Sequence, residues 1–592
     1  MNRWQTALVV VSFASTSMLG NSYAEETSSD EQMNAIIAEH WDYALAEDPT
    51  AATSVGVNDY NDRMPGASRA DQLRRLSADQ AFMRRARDID STSLSSVGLA
   101  NQDLFLWVLE DSIGAYELNL SRIPFNTFSG FFMNALTASD SVAMKTVADY
   151  EDYIARMSDI PRYFDENIEN MRSGVDTGFV LPQIVIDGVL PTVEAQVKER
   201  AEDSSFFEPF VDMNDRLADT DKKRIREKGR ATIMDEVLPA FAALAAFLRD
   251  EYEASETVGA SDLGEGSEYY AFNIKRYTTL TTTTAAEIHQ VGLDEVKRIR
   301  EDMNAIIEEL EFEGDFAAFG EFLHTDPQFY ASTRQQLLNH TAYIAKRIDH
   351  KMPGYFGKLP RQPYGIEPVP DEIAPNYVTG AYRGSPPGAR HGGTFLINTY
   401  ALDQRPLYEL PALTLHEAVP GHHHQNALSS ELEDVPAFRR DLYFSAFGEG
   451  WALYAEKLGV EMGVYETPYE NFGRLSYEMW RACRLVVDTG LHSQGWTRQE
   501  AMDFFFNNTS LSEGNIRAEV DRYISWPGQA LAYKLGELKI WELRRIAEHD
   551  LGDQFDLREF HDVVLSNGAV PLAMLEDIVL RWVETKLSSS SS

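Results

Sequence analysis

Residues 416–425 read HEAVPGHHHQ and hold four of the chain's 13 histidines, with a glutamate inside the cluster. Neutral imidazole is a common zinc ligand, and a catalytic zinc keeps three protein ligands and one water. His416–Glu417 opens an HExxH signature, in which two histidines one helical turn apart hold zinc and the glutamate is the general base. A surface histidine cluster is the alternative, but the stretch ALTL (412–415) just upstream is typical of a buried helix. The cluster therefore predicts a hydrolytic zinc site.

The second histidine ligand stays open between two residues, because the residue four positions after His416 is Pro420. On a regular helix of 3.6 residues per turn, His422 points away from His416, whereas His423 shares its face. Proline cannot continue a regular helix and glycine adopts unusual φ angles, so a bulge at Pro420–Gly421 would return His422 to the metal side.

The third ligand is predicted from an acidic residue in an apolar segment. Residues 443–455 read YFSAFGEGWALYA, a helical pattern with one charge, Glu449. Acidic side chains are seldom buried unless they are paired or bind a metal. Glu449 is therefore predicted as a ligand on a second helix. The alternative is a salt bridge between Glu449 and one of three arginines, Arg474, Arg481 or Arg484.

Four segments carry a resemblance to a known family: HEAVPGHHHQ (416–425), EGWALYAE (449–456), RACRLVVDTGLHSQGW (481–496) and RYISWPGQALAYKLG (522–536). They resemble the bacterial family called domain of unknown function 885, which is grouped with the gluzincin metallopeptidases, and the similarity runs from about residue 35 to 585. The resemblance implies a mostly helical metallopeptidase-like fold with one Zn²⁺ per chain. It implies His416, His422 and Glu449 as metal ligands and Glu417 as the base, and says little about the substrate.

Peptide hydrolysis also needs a group that stabilises the oxyanion formed when water attacks the carbonyl. Tyr523 is predicted as this donor because it lies beside Arg522 in the matched segment, and Tyr533 is predicted to contact substrate. Arg522 is predicted to hold a substrate carboxylate in bidentate fashion. His492 follows an aspartate by one helical turn, and it is predicted either to face the site or to make a helix-end contact.

Residues 353–411 differ from the rest of the chain, because ten of the 24 prolines fall there and 384–393 is rich in glycine. Such composition is typical of loops and short strands. TFLIN (394–398) is predicted as a strand that pairs with an extended peptide through its backbone, with Phe395 and Asn398 contacting substrate. An ordinary strand of a small sheet is the alternative.

Elsewhere the pattern is helical, as in 31–45, in alanine-rich 231–255, and after the capping box Thr284–Glu287. The expected fold class is mainly α, a large helical metallopeptidase-like fold with a small β-sheet beside the zinc-binding helix. The expected organisation is a signal peptide (1–24), an N-terminal helical region forming cleft walls (25–280), a metallopeptidase-like catalytic region (281–586) and a disordered tail (587–592).

Composition indicates a folded globular protein, since 44% of the 592 residues are hydrophobic and 25% are charged. The net charge of −40 argues against binding to nucleic acid or to anionic membranes, both of which favour basic patches. The single cysteine, Cys483, lies in an apolar helical pattern and is predicted to be part of the core.

The N-terminus has the pattern of a secretory signal peptide. Arg3 precedes a largely apolar stretch at 7–19, and Ser22–Ala24 offers a small-x-small cleavage site. We therefore expect a secreted, periplasmic protein. No later apolar segment is expected to reach the length of a membrane-spanning helix, which is ~20 residues. No cysteine directly follows the apolar stretch, so none is expected to carry a lipid there.

These observations predict a secreted zinc metallopeptidase that hydrolyses short peptides in a helical cleft. A zinc amidase acting on a non-peptide or cell-wall amide is one alternative. A catalytically inactive peptide-binding protein is another, although a pure binder has no need of Glu417.

Overall fold

The computed structural model describes residues 28–139, 142–371, 373–385 and 390–590. The predicted signal peptide therefore lies outside the described residues. Within them the first half of the chain forms α1 Ser29–Glu47, α2 Pro49–Ser54, α3 Arg69–Arg87, α4 Ser96–Glu117, α5 Phe131–Leu136, α6 Val147–Ser158, α7 Ile160–Thr177, α8 Gln183–Glu194, α9 Asp219–Thr232, α10 Leu238–Asp250, α11 Gly266–Thr278 and α12 Ala285–Glu309.

The second half carries three strands among its helices, and the mainly α fold class is confirmed. The strands are β1 Tyr364–Pro368, β2 Gly380–Arg383 and β3 Gly393–Ile397. The helices are α13 Phe316–Thr325, α14 Arg334–Lys351, α15 Leu410–Glu417, α16 His422–Ser430, α17 Ala437–Asp441, α18 Ser445–Glu461, α19 Pro468–Ser493, α20 Arg498–Asn508, α21 Glu513–Ser525, α22 Ala532–Leu551, α23 Leu557–Leu565 and α24 Leu572–Ser590.

Local sequence signals account for several helix boundaries. Thr284 and Glu287 form the predicted capping box at the start of α12, because each side chain accepts a hydrogen bond from the other residue's backbone N–H. The same device begins α19 at Thr467. The buried face of α12 packs along α19, which crosses the protein interior beneath the metal site.

The sheet has the strand order β1-β3-β2, with β1 parallel and β2 antiparallel to β3. Strand β3 coincides closely with the predicted TFLIN strand, and it lies in the centre of the sheet. Both of its edges are therefore occupied, and an added peptide strand cannot pair with it. The prediction that 394–398 pairs with substrate is wrong for this reason, and β2 is the strand with a free edge near α15.

Two large apolar cores hold the fold together, and each draws on both halves of the sequence. One packs Phe164 and Phe241 with residues of α19 and α21, and the other packs Ile37 and Phe105 with Trp451 of α18. The regions expected at 25–280 and 281–586 thus share their cores. Residues 587–590, expected in a disordered tail, continue α24.

One helical stretch in the described part of the chain, Asp219–Asp250, is long and apolar enough to cross a membrane by length and composition alone. It comprises α9, a π-helical turn and α10. Of its most apolar 18-residue window, 56% is buried within the protein, as in an ordinary core helix.

Candidate metal centre

Three side chains from three helices converge at one point. Nε2 of His416 on α15 lies 3.5 Å from Oε2 of Glu449 on α18, and Nε2 of His422 on α16 lies 3.4 Å from the same oxygen. One ligand atom of each residue lies within 4.8 Å of the other two. We call His416, His422 and Glu449 the metal trio.

The spacing of the trio suits a small metal ion. Zinc binds nitrogen and carboxylate oxygen at about 2.0–2.2 Å, which puts neighbouring ligand atoms of a tetrahedron about 3.3–3.6 Å apart. The two nitrogen–oxygen distances, 3.5 and 3.4 Å, lie in this range. Two imidazoles and one carboxylate also form a donor set typical of catalytic zinc, with one position left for water.

The turn between α15 and α16 brings His422 back to His416. Helix α15 ends at Glu417, the Val419–Pro420 bond is cis, and α16 begins at His422, so the predicted interruption is confirmed. A Cβ atom on Gly421 would lie 1.9 Å from the main-chain oxygen of His416, so only glycine fits this close approach. Nε1 of Trp451 on α18 donates to the main-chain oxygen of Pro420 at 2.7 Å and anchors the turn.

His423 points away from the trio, towards the sheet. Its Nδ1 lies 3.1 Å from the hydroxyl of Tyr382 on β2, and its Nε2 lies 3.0 Å from the main-chain oxygen of Gln362. His423 thus connects α16 to β2 and to the segment before β1. It occupies no position in the trio.

Glu456 positions His416 from behind. It lies two helical turns after Glu449 on α18 and is 1% exposed. Its Oε1 lies 2.7 Å from Nδ1 of His416, so the ring presents Nε2 to Glu449. Such carboxylate–histidine pairs orient metal-binding imidazoles and raise their basicity.

The electrostatics of the trio suit a cation. Burial disfavours a charged His416, but its hydrogen bonds to Glu449 and Glu456 outweigh this and raise its pKa to about 9. Burial likewise opposes ionisation of Glu449, yet the charges of His422 and His416 hold its pKa well below its usual range. Without a metal, the two carboxylates therefore attract a proton to this site.

Glu417 faces the free edge of β2. Its Oε2 accepts a hydrogen bond of 2.7 Å from the backbone N–H of Tyr382, and its Oε1 has no hydrogen-bond partner in the described part of the chain. Since main-chain groups alternate between the two sides of a strand, Gly380 and Tyr382 both direct theirs away from β3. The candidate base therefore adjoins the outer edge of β2 and already accepts one of its N–H groups, that of Tyr382.

Two tyrosines lie near Glu449, one just before α18 and one on α22, and these two helices cross closely. A Cβ atom on Gly450 would lie 2.5 Å from Cα of Gly536, so glycine at both positions permits the crossing. Tyr533 lies one turn before Gly536, is partly exposed, and has its pKa raised by burial and by Glu449. The Tyr443 hydroxyl donates to Oε1 of Glu449 at 3.1 Å, and Tyr443 is 49% exposed.

The other predicted site residues near the C-terminus are engaged with their neighbours. The Tyr523 hydroxyl donates to Glu519 at 2.6 Å and accepts from Trp480 and Arg484, so it has no hydrogen left for an oxyanion. Arg522 pairs with Glu519 and donates to Gln529. The contacts of Tyr523 and Arg522 do not support their predicted roles.

His492 is buried among main-chain groups. Its Nδ1 accepts from the backbone N–H of Ala260 at 3.1 Å, and its Nε2 lies 3.0 Å from the main-chain oxygen of Tyr523. Both ring nitrogens are thus engaged, and burial lowers the pKa of His492 to about 4. Its geometry favours the structural alternative, a contact at the end of α19, over a catalytic role.

Phe395 and Asn398 also face the interior. Phe395 is fully buried, and the Asn398 amide donates to three main-chain oxygens of the loop before β2. Neither side chain is available to substrate, because burial and hydrogen bonds occupy both. The predicted substrate contacts of these two residues are corrected accordingly.

Sequence reasoning missed Glu456, Tyr443 and Tyr382. Glu456 carried a usable signal, since it is a second acid seven residues after Glu449 and so shares its helix face. Tyr443 lies just before α18 and Tyr382 contributes a backbone N–H, and neither position carries a periodic signal that separates it from ordinary packing.

Comparisons with known proteins agree with this architecture. A profile of the family described as "Bacterial protein of unknown function (DUF885)" matches residues 49–579. No curated protein matches the chain in sequence.

Three solved structures are similar to the chain. A candidate lipoprotein from Colwellia psychrerythraea has a TM-score of 0.88 and 29% identity, over 94% of this chain and 100% of that one. A candidate lipoprotein of unknown function from Shewanella oneidensis has a TM-score of 0.72 and 18% identity over the same shares. A candidate oligoendopeptidase F from Bacillus anthracis str. Ames reaches only 0.34 and 12% identity, over 88% and 95% of the two chains, which is too low to support an inference.

Proposed function

Given that this chain belongs to the bacterial family of proteins of unknown function DUF885, we propose that it is a zinc-dependent metallopeptidase of the gluzincin type that hydrolyses short peptides. The observation that carries the proposal is the metal trio with Glu417 immediately after its first ligand. A buried site that only stored zinc would have no use for a carboxylate whose second oxygen is unpaired.

Each step of the reaction has a residue suited to it. The trio would hold zinc, and the bound ion would supply an acidified water, with a pKa of about 7, and a Lewis acid for the scissile carbonyl. Glu417 takes the proton of the attacking water through Oε1 and returns it to the leaving amine. Glu456 holds the His416 ring in its metal-facing orientation throughout.

The substrate is proposed to lie along the free edge of β2. Main-chain groups at Gly380 and Tyr382 face the side on which Glu417 lies, so an extended peptide pairing there would pass the candidate base. This edge replaces β3 as the pairing strand.

Tyr443 is the proposed oxyanion donor in place of Tyr523. Its hydroxyl donates to Oε1 of Glu449 and would have to turn from that oxygen to the oxyanion, a movement that its half-exposed side chain permits, whereas the Tyr523 side chain is fully buried. Tyr443→Phe should keep zinc and lower kcat by about 10²-fold with little change in KM. An unchanged kcat would move this role to Tyr533.

The decisive variant is Glu417→Gln. It should retain zinc and fold, and lose peptide hydrolysis by at least ~10²-fold, the scale expected when a general base is removed. Peptide-library turnover, metal content and thermal unfolding are measured on the same preparations. Turnover equal to that of the parent would refute the mechanism.

A zinc amidase acting on a non-peptide or cell-wall amide would use the same metal chemistry, so a substrate screen should include such amides. Export from the cytoplasm is also proposed. It is supported by the signal-peptide pattern at 1–24 and by the similarity to a candidate lipoprotein. Cell fractionation tests it, and retention of the full-length chain in the cytoplasm would contradict it.

A further inference from the structure

A buried cationic network packs against Tyr533. Arg484 Nη2 and Arg522 Nη2 lie 3.1 and 3.0 Å from the same oxygen of Glu519, which also accepts the Tyr523 hydroxyl at 2.6 Å. Two guanidinium charges thus share one carboxylate. The network carries a net positive charge inside a protein whose overall charge is −40.

Arg484 keeps a donor that nothing in the described residues satisfies. Its side chain is 4% exposed, Nε donates to Tyr523 at 2.9 Å and Nη2 to Glu519, but Nη1 is buried without a hydrogen-bond partner. A buried charged donor left unpaired is costly. Such a donor is therefore a candidate for a ligand that supplies the missing acceptor.

The location of Arg484 connects this donor to the proposed site. Its guanidinium lies between two partly exposed rings, 4.5 Å from the centre of Trp480 and 4.4 Å from that of Tyr533. The charge of Glu449 in the trio helps to raise the pKa of Tyr533, so this tyrosine also lies near the trio. The Tyr533 ring therefore contacts the unpaired cation and lies close to the candidate metal site.

We propose that Arg484 binds a carboxylate group of the substrate, which reaches Nη1 when the Tyr533 ring turns aside. The inference rests on the proposed peptidase function and narrows its substrates to peptides with a carboxylate close to the scissile bond. A C-terminal carboxylate and an acidic side chain offer the same chemistry, a planar pair of acceptors that matches a guanidinium. The local positive charge also offsets the repulsion of an anionic ligand by the strongly acidic protein.

Arg484 is assigned this role rather than Arg522 because of their remaining hydrogen-bond capacity. Arg522 directs two of its nitrogens at Glu519 and donates Nη1 to Gln529 at 2.7 Å. A carboxylate at Arg522 would have to displace one of these acceptors. At Arg484 a carboxylate would supply an acceptor to Nη1, a donor that otherwise has no acceptor.

Calorimetric binding to the full-length, zinc-loaded Glu417→Gln protein tests the proposal. The probes are acetyl-Ala-Ala-Ala with a free C-terminus, its C-terminal amide, and acetyl-Ala-Ala-Glu amide. One of the two carboxylate probes should bind about 10- to 100-fold more tightly than the neutral amide, the scale of one charged hydrogen bond. The tighter one identifies whether the terminus or the side chain is recognised.

Arg484→Met, introduced into the same protein, should remove this preference. Arg474→Met is the matched control, since it removes a buried arginine from the same helix whose donors are already paired with Asn471 and Glu478. The control should keep the preference. Zinc content and thermal unfolding establish that each variant is folded. If Arg484→Met does not fold, Arg484→Lys replaces it. Arg484→Lys keeps the charge and loses the planar guanidinium, so it should keep only part of the preference for carboxylate probes.

Equal binding of the three probes to the Glu417→Gln protein would overturn the carboxylate subsite, as would a preference that survives in Arg484→Met. Hydrolysis of neutral amides by the parent with no carboxylate preference would overturn the subsite and leave the peptidase function standing. Absence of binding by all three probes, together with no peptide turnover by the parent, would overturn both.

Discussion

Two regions of the molecule are rich in polar and aromatic side chains but use them in opposite ways. One is the stretch 416–449 that contains the trio, called the metal turn below, and the other is the C-terminal segment, 519–533. In the metal turn, two imidazole nitrogens face one carboxylate oxygen around a shared point. In the C-terminal segment, Glu519, Arg522 and Tyr523 satisfy one another. A buried polar cluster indicates a binding site only where its groups point towards a common position that a ligand could occupy, and not where they satisfy one another.

The difference has a physical origin in what each cluster lacks. Ligand lone pairs that face one another need a metal cation or a proton between them, because buried acceptors repel one another. Donors and acceptors that are already paired need nothing further, and their contribution is to stability. Arg484, which reaches the C-terminal segment from α19, is the exception, since one of its donors is unpaired.

The largest expected effect separates the two adjacent histidines of the metal turn. His422→Ala should lose zinc and all hydrolysis, because it removes one of three ligands. His423→Ala should keep zinc, since this ring binds Tyr382 and Gln362 instead. Its turnover should fall by roughly 10-fold, because Tyr382 then holds Glu417 less firmly. Metal analysis of both variants is the measurement. If His423→Ala lost zinc and His422→Ala kept it, the second histidine ligand would be His423, and the turn between α15 and α16 would differ from the one described.

The next effect concerns the tight turn itself. Gly421→Ala should destabilise the fold by about 3 kcal/mol and weaken zinc binding, because the added methyl group collides with the main-chain oxygen of His416. Gly514→Ala on α21 is the matched control, since a Cβ there meets nothing within 4 Å. Denaturant unfolding measures both. Equal stability of the two variants would show that the turn accommodates a Cβ atom at position 421.

A smaller effect is expected in the C-terminal segment. Arg522→Met should reduce the free energy of unfolding by about 1–3 kcal/mol, because Glu519 loses one of its charged partners while Arg484 and Tyr523 remain. Turnover of free-acid peptides and of their amides should fall by similar factors. A selective loss on free acids would restore Arg522 as the carboxylate clamp predicted from the sequence.

The smallest effect at neutral pH belongs to His492. Its pKa is lowered to about 4 by burial, whereas an unfolded histidine titrates near ~6.5. Between these values the unfolded chain binds a proton that the native protein excludes, so stability falls as pH drops, by about 1.4 kcal/mol per pH unit. His492→Gln should show a shallower loss of stability between pH 6.5 and 4. Identical slopes for parent and variant would contradict the assignment of a buried neutral ring.

Residue patterns alone predicted His416, Glu449 and a second histidine as ligands, while the choice of His422 over His423 came from the family resemblance. Three features depart from the apolar helical pattern around them: the histidines beside an apolar helix, the Pro-Gly break, and the one acid within an apolar helix. The mainly α fold and the β3 strand followed from periodicity and proline content in the same way.

The rest could not be predicted, because it depends on which partner a side chain meets in three dimensions. Nothing local distinguishes Tyr523, whose hydroxyl is fully used, from Tyr443, whose hydroxyl adjoins the trio. The order of the strands likewise depends on a parallel pairing between segments separated by β2, so the central position of β3 carries no sequence signal.

Metal analysis of the purified parent protein tests the central claim most directly. The geometry of His416, His422 and Glu449 predicts close to one zinc ion per chain, retained through dialysis at neutral pH and restored by zinc after chelation. A protein that carries no zinc and does not take it up at micromolar concentration would contradict the assignment of this cluster as a metal centre.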